Sequence, residues 1–296
     1  MEKEFYLSEN IDKYFKYMAF IKSASPLTLK HYTLDLQQAF QLDKLSQSPQ
    51  KFWTEAELLT AVRQAFNRWA SLSLASRNRK AATLKSFFSW AFDERLTERD
   101  LSLQISCPKV PKKIPHFLSV DEALAVLKTF DGSDSKIPEH EKVLFLLLYG
   151  GGLRISEACQ LKWSEVHFEQ KILRVLGKGS KERVVALPTM TMTALKTWQK
   201  KSSFEEFVFG EEALSQRRAY EMVRQSGVRA GLLKPLHPHA LRHSFATHLL
   251  SSGANLRTLQ ELLGHESLQA TEKYTHLGID QLARTMEQLH PLGKGK

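Results

Sequence analysis

The stretch HPHALRHSFATH, residues 237–248, predicts an amphipathic helix with one polar and one apolar face. Leu241 and Phe245 recur at helical spacing, so we expect them to seat this helix in the core. His239 and Arg242 lie three positions apart on a neighbouring face, where a proton-transfer group and a phosphate-binding guanidinium fork can point at one site. Helical periodicity recurs through most of the chain, so the predicted fold is mainly α.

The same helix invites a metal interpretation, because His239 and His243 are four positions apart and share a face. Zinc proteases with this spacing carry Glu directly after the first His, and here that residue is Ala240. We therefore expect no metal at this helix. We expect His243 and His248 to form structural hydrogen bonds.

Upstream, three glycines precede Arg154 in YGGGLRISE, residues 149–157. Glycines let the backbone approach a ligand closely, and a helix start just after them favours an anion. Glu157, one turn further on, is placed to orient Arg154. The alternative is a loop that closes the apolar segment 143–148, with Arg154 in a structural ion pair.

The chain departs from helical periodicity between these two motifs. Two runs rich in Val, Leu and Ile, at 171–176 and 181–187, flank GKGS at 177–180, a pattern typical of a β-hairpin. The glycines would leave the ammonium of Lys178 projecting toward a phosphate or a leaving group. The alternative is an ordinary hairpin tip with a solvated lysine.

Two short motifs follow the helix predicted at 237–248: LLGH at 262–265 and YTH at 274–276. Taken alone, a Gly-His pair is typical of a helix C-cap, and a Tyr at a helix end is typical of half-buried packing. The final helical pattern has one apolar face, which can pack on a neighbouring copy or in its own core. Its members are Ile279, Leu282, Ala283, Met286 and Leu289.

The N-terminal part of the chain predicts a small helical bundle with one cationic edge. Ser25-Pro26 is typical of a helix start. The i, i+3, i+4, i+7 spacing of a buried helix face is carried by Leu84, Phe87, Phe88 and Ala91. The cationic edge consists of Arg77, Arg79, Lys80 and Lys85. It can bind a polyanion, and the alternative is a solvated helix face.

Residues 107–115 read CPKVPKKIP, and their prolines predict an extended linker because proline removes donors and disfavours helix. Ser119 and Glu122 then form a capping box at the start of a new helix. The predicted domains are a helical domain 1–107, a linker 108–116, and a mixed, mostly helical domain 117–296.

The chain of 296 residues has 42 Lys plus Arg against 32 Asp plus Glu, a net charge of +10 that favours a polyanionic partner. Neither Cys107 nor Cys159 lies in a CxxC or Cys/His motif, so neither a disulfide framework nor a zinc site is indicated. The N-terminus is acidic rather than signal-like, and no apolar window is long enough to span a bilayer. We expect a cytoplasmic protein without membrane association.

In this order and spacing, the motifs resemble those of the tyrosine recombinase (integrase) family, and the Xer type is the nearest. They are GLRISE at 152–157, GKGSKER at 177–183, HALRHSFATHLL at 239–250, LLGH at 262–265 and YTH at 274–276. The resemblance covers the whole chain and is most specific from about residue 114 onward. It implies a SAM-like, DNA-clamping core-binding domain, then a catalytic domain with a small β-sheet or hairpin and a C-terminal exchange helix.

The resemblance also implies how a scissile DNA phosphate is held. Arg154 and Arg242 would grip its non-bridging oxygens, with Glu157 in support. His265 would donate a further hydrogen bond. Further DNA contacts are predicted at Arg77, Arg79, Lys80, Lys85, Lys181 and Arg183.

Three further residues would carry the reaction if the resemblance holds. Tyr274 would be the nucleophile, and its reference pKa near 10 requires a base, for which His239 is the candidate. Lys178 would protonate the departing 5′-hydroxyl. The product is a 3′-phosphotyrosine linkage, which needs no ATP, metal or other cofactor.

The implied function is site-specific DNA recombination, such as the XerC-like resolution of chromosome dimers at cell division. Implied partners are a dif-like double-stranded DNA site, a second Xer recombinase in a heterotetramer or further copies in a homotetramer, and an FtsK-like DNA translocase. The alternatives are a phage or mobile-element integrase, a type IB topoisomerase, and a non-enzymatic helical DNA-binding regulator. Relaxation without synapsis would indicate the topoisomerase, and an inert Tyr274→Phe substitution would indicate the regulator.

Overall fold

The computed structural model describes residues 5–42, 52–111, 117–131, 137–176, 182–263 and 276–293. It divides into two compact units, 1–113 and 114–296. The boundary falls within the proline-rich stretch that the sequence predicts as a linker. Each unit has its own hydrophobic core. Most of the described chain is helical, which confirms the mainly α prediction.

The first unit is a bundle of helices with one short strand pair. Its described helices are α1 (Leu7–Phe20), α2 (Pro26–Phe40), α3 (Glu55–Arg68) and α4 (Leu74–Asp93). A 3-10 helix, Leu101–Gln104, follows α4. Strands β1 (Phe5–Tyr6) and β2 (Phe52–Trp53) pair antiparallel, and two-residue strands are too short for the sequence pattern to predict.

Local sequence accounts for these helix starts and for the core. The Ser25 hydroxyl accepts a hydrogen bond from Thr28 N at 3.2 Å, with Pro26 in the first turn, so the predicted start of α2 is confirmed. The predicted apolar face of α4 is fully buried together with Tyr14, and its members are Leu84, Phe87, Phe88 and Ala91.

The cationic edge of the first unit is only partly what the sequence predicted. Lys80 is buried, and its Nζ donates to Asp35 Oδ1 at 2.9 Å and to Gln38 Oε1 at 2.6 Å. Arg79 also pairs with Asp35, although its side chain stays 45% exposed. The prediction of Lys80 as a DNA contact is therefore corrected to a structural role, because its charge is used to bind α4 to α2. Lys85 is exposed and Arg77 is half-buried.

The second unit packs helices around a small antiparallel sheet. Its described helices are α5 (Val120–Lys128), α6 (Glu139–Gly150), α7 (Ile155–Cys159), α8 (Thr189–Lys201), α9 (Gln216–Arg229), α10 (Pro238–Ser251), α11 (Leu256–Leu263) and α12 (His276–Leu289). The capping box at the start of α5 is confirmed, since Ser119 N donates to Glu122 Oε2 and Glu122 N donates to Ser119 Oγ.

The predicted hairpin is confirmed and proves to be part of a three-stranded sheet. Strands β4 (Ile172–Leu176) and β5 (Glu182–Ala186) pair antiparallel, with Ile172 opposite Ala186. A short strand β3 (Val166–His167) adds to the other edge of β4, after a 3-10 turn at Trp163–Glu165. The tip of the hairpin, residues 177–181, lies outside the described residues.

Helix α10 is fixed in the core by the apolar face predicted from the sequence and by His248. Leu241 and Phe245 are fully buried. The Nε2 of His248 donates to Leu118 O at 2.9 Å, which leaves Nδ1 to accept from the Tyr149 hydroxyl, also at 2.9 Å. The structural role predicted for His248 is thus confirmed. His243 is exposed and makes an edge-to-face contact with the Phe117 ring, with centroids 5.8 Å apart.

The apolar face of the final helix, α12, is covered by its own chain. Leu282 and Met286 are buried in a cluster with Phe245 and β-sheet residues, so its own chain covers this face here, and packing on a neighbouring copy stays a prediction. Glu287 Oε2 accepts from Thr189 N at 3.0 Å, which caps the first turn of α8. The side chain of Ile279 lies outside the described residues.

Beyond α12 the chain is anchored by a buried histidine. The Nε2 of His290 donates to Tyr149 O at 3.1 Å, and Leu292 N donates to its Nδ1 at 3.1 Å. Burial lowers the pKa of His290 to about 3, so this anchor is neutral at physiological pH.

A search of the described ranges finds no helix with the length and apolar character needed to cross a bilayer.

Candidate active site

Arg154 stands at the N-cap of α7 and is held there by Glu157. Arg154 N donates to Glu157 Oε2 at 2.7 Å, and its Nη1 donates to Oε1 at 2.8 Å. The carboxylate side chain is 3% exposed and the arginine side chain 35% exposed. Glu157 therefore fixes the backbone N and Nη1 of Arg154, while the partly exposed guanidinium remains accessible to a ligand.

The glycine turn before Arg154 brings α7 against α10. Gly152 has a φ of +59°, a conformation that favours glycine. A Cβ at this position would lie 2.4 Å from the Phe245 ring. The turn therefore needs glycine both for its backbone conformation and for the close approach of the two elements.

Helix α10 places Arg242 beside this turn. Its Nη1 donates to Gly152 O, and its Nη2 donates to Leu263 O at 2.7 Å. The same Nη1 lies 4.0 Å from Glu157 Oε2. His239, one turn earlier on α10, is exposed. The structure thus brings Arg242 to Arg154 and Glu157, which lie far from it in sequence.

A third arginine enters the site from strand β5. Arg183 is 6% exposed, and its Nη2 donates to Glu157 Oε2 at 2.7 Å. Its Nη1 donates to Leu262 O. The prediction of Arg183 as a DNA contact is corrected, because its guanidinium is buried against Glu157. The sequence signal available was its place just after the hairpin tip, and that signal does not reveal which way the side chain points.

The electrostatics of the site favour an anion. Three guanidinium groups surround one carboxylate, so the cluster carries an excess of positive charge. Burial would raise the pKa of Glu157, but the Arg183 charge and hydrogen bonds from Arg183 and Arg154 outweigh it and hold the pKa below its ordinary value. Burial, with the charges of Arg183 and Arg154, lowers the pKa of Arg242 to about 10. Glu157 and Arg242 are therefore ionised at neutral pH, and a bound phosphate would relieve the repulsion between the cations.

Four of the sequence-predicted site residues lie outside the described residues: Lys178, Lys181, His265 and Tyr274. The described residues that flank Lys178 and His265 in sequence lie at the site. Strands β4 and β5 end at the hairpin tip that contains Lys178. Helix α11 ends at Leu263, whose carbonyl is bonded to Arg242, and the chain then continues into the LLGH and YTH motifs.

The metal interpretation of α10 has no support from the described part of the chain. Among those residues, no group of three or more His, Cys, Asp or Glu side chains is arranged to hold a metal ion.

Comparison with known sequences identifies the class of protein. The profile of the phage integrase family matches residues 116–279. Tyrosine recombinase XerC of Xanthomonas campestris pv. campestris is 36% identical over 230 residues, which cover 76% of this chain and 71% of that relative. Tyrosine recombinase XerD of Staphylococcus aureus is 38% identical over 230 residues, covering 74% of this chain and 77% of that relative. The chain therefore belongs to the phage integrase family of tyrosine recombinases.

Its relatives within the family bear XerC and XerD names, so the chain is a site-specific recombinase related to the Xer type. Among solved structures, XerH recombinase bound to its difH substrate is 25% identical, with a TM-score of 0.62 over 90% of this chain and 80% of that chain. A lambda integrase dimer bound to a core site is 19% identical, with a TM-score of 0.66 over 88% of this chain and 95% of that chain. The lambda comparison supports the fold alone.

Proposed function

We propose that this recombinase cleaves a DNA strand with Tyr274. The broken strand becomes covalently linked to the protein through a 3′-phosphotyrosine bond. The observation that carries the proposal is the convergence of Arg154 and Arg242 on the buried carboxylate of Glu157. Two guanidinium groups fixed in this way can bind both non-bridging oxygens of one phosphodiester. They also stabilise the extra negative charge of a pentacoordinate phosphorus, without which a phenol attacks too slowly.

The proposed reaction balances through groups of this chain. The Tyr274 oxygen forms a bond to phosphorus and gives its proton to His239, while the bond from phosphorus to the 5′-oxygen breaks. Lys178 gives a proton to that leaving oxygen, and His265 donates a hydrogen bond to the phosphate. These roles come from the family motifs that the four residues match. Attack by a 5′-hydroxyl from another duplex reverses the step, so the bond energy is retained and strands are exchanged.

The proposed substrate is double-stranded DNA with a dif-like recombination site, and the proposed role is XerC-like resolution of chromosome dimers at cell division. Support comes from the XerC and XerD relatives and from the neighbouring structure of XerH bound to difH. The first unit is proposed to clamp the DNA as a core-binding domain. Candidate phosphate contacts there are Arg77, Arg79 and the exposed Lys85.

The proposed working assembly is a tetramer, formed with a second Xer recombinase or with further copies of this chain. The solved relatives include a lambda integrase tetramer bound to a Holliday junction. In such an assembly α12 would leave the surface that it covers here and fill the equivalent surface of a neighbour. An FtsK-like DNA translocase is the proposed activator.

The experiment is a suicide-substrate assay. A duplex with a dif-like site is nicked beside the scissile phosphate, so that the short 5′-hydroxyl fragment diffuses away and the covalent protein-DNA adduct accumulates. The adduct is measured on a denaturing gel for wild type, for Tyr274→Phe, and for Tyr220→Phe, which changes an exposed tyrosine on α9. Wild type and Tyr220→Phe should form the adduct, and Tyr274→Phe should not.

Other outcomes distinguish the alternatives. DNA binding without adduct in any variant would indicate a regulator rather than an enzyme. Relaxation of a supercoiled plasmid that has a single site, without exchange between two sites, would indicate a topoisomerase. An equal adduct from wild type and Tyr274→Phe would show that another residue is the nucleophile.

A further inference from the structure

Arg183 links three separate segments of the proposed site. It stands on β5, close after the hairpin tip that contains Lys178. One amino group, Nη2, is 2.7 Å from Glu157 Oε2, and the other, Nη1, donates to Leu262 O near the end of α11. Its Nε is buried and has no hydrogen-bond partner in the described chain, so its bonding there is directed at these two acceptors.

The bond to Glu157 transmits the position of Arg183 to Arg154. Both oxygens of the carboxylate accept hydrogen bonds: Oε1 from Arg154 Nη1, and Oε2 from Arg154 N and from Arg183 Nη2. A carboxylate held from both sides has one orientation. The position of the Arg154 guanidinium, which would bind phosphate, is therefore set partly by Arg183.

The bond to Leu262 fixes the end of α11. The last four carbonyls of a helix have no partner within it, and a cation there also interacts favourably with the helix dipole. Arg183 and Arg242 bind two successive carbonyls, those of Leu262 and Leu263. Leu262 and Leu263 are both buried, so this helix end is held inside the protein by arginine side chains. The chain that follows contains His265 and then Tyr274.

We propose that Arg183 is a positioning residue of the recombinase site, which orients Arg154 through Glu157 and anchors the end of α11 ahead of the His265 and Tyr274 segment. The proposal rests on the function proposed above, because it concerns the same reaction. It differs from a DNA-contact role, since the guanidinium is buried and both of its amino groups are bonded within the protein. It also differs from a general stabilising role, because both of its acceptors belong to the site.

The test compares Arg183→Gln and Arg183→Lys with Arg229→Gln. Arg229 is a matched control, since its Nη2 bonds a carboxylate, Glu141 Oε2, at 2.6 Å, and neither residue bonds a member of the proposed site. Lysine keeps the charge but has no planar fork to bond two acceptors at once. The rate of adduct formation by Arg183→Lys should therefore lie between the rates of wild type and Arg183→Gln. Adduct formation on the nicked duplex and DNA binding by gel shift are measured for each variant.

Arg183→Gln should form adduct about a hundredfold more slowly at saturating DNA, the scale expected when reacting groups are misplaced by about 1 Å. Its DNA affinity should match that of Arg229→Gln. The rate of Arg183→Gln should also begin to fall at a higher pH than the wild-type rate, because Glu157 without its partner is protonated more readily. A loss of folded protein would lower the amount of active enzyme but would not change the pH at which the rate begins to fall.

A second readout does not depend on activity. Amide hydrogen exchange at Leu262 and Leu263 should be faster in Arg183→Gln than in wild type and Arg229→Gln, because the last turn of α11 loses its anchor. The proposal would be overturned if Arg183→Gln formed adduct at the wild-type rate and with the wild-type pH dependence. It would also be overturned if amide hydrogen exchange at Leu262 and Leu263 did not change. If wild type forms no adduct but exchange at α11 responds to Arg183→Gln, the proposed function fails while the anchoring stands. Should Arg183→Gln not fold, Arg183→Lys gives the same readouts.

Discussion

Replacing Glu157 by glutamine should destabilise the second unit more than any other single charge removal at the site. The carboxylate side chain is 3% exposed and bonds Arg183, whose side chain is 7% exposed. Glutamine has nearly the same shape and keeps one oxygen acceptor, but it removes the negative charge. Arg183 is then left as a buried cation without a counter-ion.

The magnitude follows from the burial of that pair. Removing one partner of a buried ion pair costs about 3 to 5 kcal/mol. The bond from Glu157 to the partly exposed Arg154 adds about 1 kcal/mol or less. A loss of this size should lower the melting temperature of the second unit by roughly 10 °C.

Thermal melting followed by circular dichroism measures the effect, with Glu141→Gln as the control. Glu141 is 16% exposed and pairs with a more exposed arginine, so its change should cost about 1 kcal/mol or less. Equal melting temperatures for Glu157→Gln and Glu141→Gln would refute the assignment of Glu157 as the buried centre of the arginine cluster.

The pH dependence gives a second check on the same variant. The pKa of Glu157 in the folded protein lies below its ordinary value of 4.5. Its contribution to stability is therefore fully present above that ordinary value and is lost as the pH falls through the lower, folded value. The difference in stability between wild type and Glu157→Gln should stay constant from neutral pH down to about pH 5 and shrink in more acidic solution. A difference that instead grows on acidification would contradict the ion pairing.

Three further predictions concern neighbouring features. Arg242→Lys should lose the guanidinium fork, which should raise the activation free energy of adduct formation by about 2.7 to 4 kcal/mol in a single-turnover assay. DNA binding by this variant should persist. Gly152→Ala should cost about 2 to 5 kcal/mol in a denaturant titration, because of the φ of +59° and the 2.4 Å approach to the Phe245 ring. Lys85→Gln should weaken DNA binding and reduce its salt slope by about 1, whereas Lys80→Gln should leave the slope unchanged and lower stability. The reverse order in a salt titration would restore Lys80 as a DNA contact.

Local signals in the sequence predict the elements that carry the site. The cap at Ser25, the capping box at Ser119 and the glycines before Arg154 each satisfy a backbone requirement of a few neighbouring residues. The apolar spacing around Phe245 predicts which face of α10 is buried, so the face with Arg242 follows from it. The caps and the backbone conformation of the glycine turn need no knowledge of distant contacts, which is why the sequence is sufficient for them.

Features that depend on distant contacts were not predictable in the same way. Lys80 and Arg183 look like ordinary basic residues in the sequence, and only the fold places each beside a buried carboxylate. The apolar face of α12 is equally suited to its own core and to a neighbouring copy, because the hydrophobic pattern does not identify what covers it. The structure gives the intramolecular arrangement, with Met286 fully buried.

In the proposed mechanism, the hydroxyl of Tyr274 in the YTH motif attacks a phosphate that Arg154 and Arg242 hold. The most direct measurement is mass spectrometry of the peptide that remains linked to DNA after the suicide reaction and complete protease digestion. We expect a single 3′-phosphate-linked peptide with the modification on Tyr274, absent when Arg154 or Arg242 is replaced by alanine. A DNA-linked peptide from any other part of the chain, or a linkage that persists without either arginine, would contradict it.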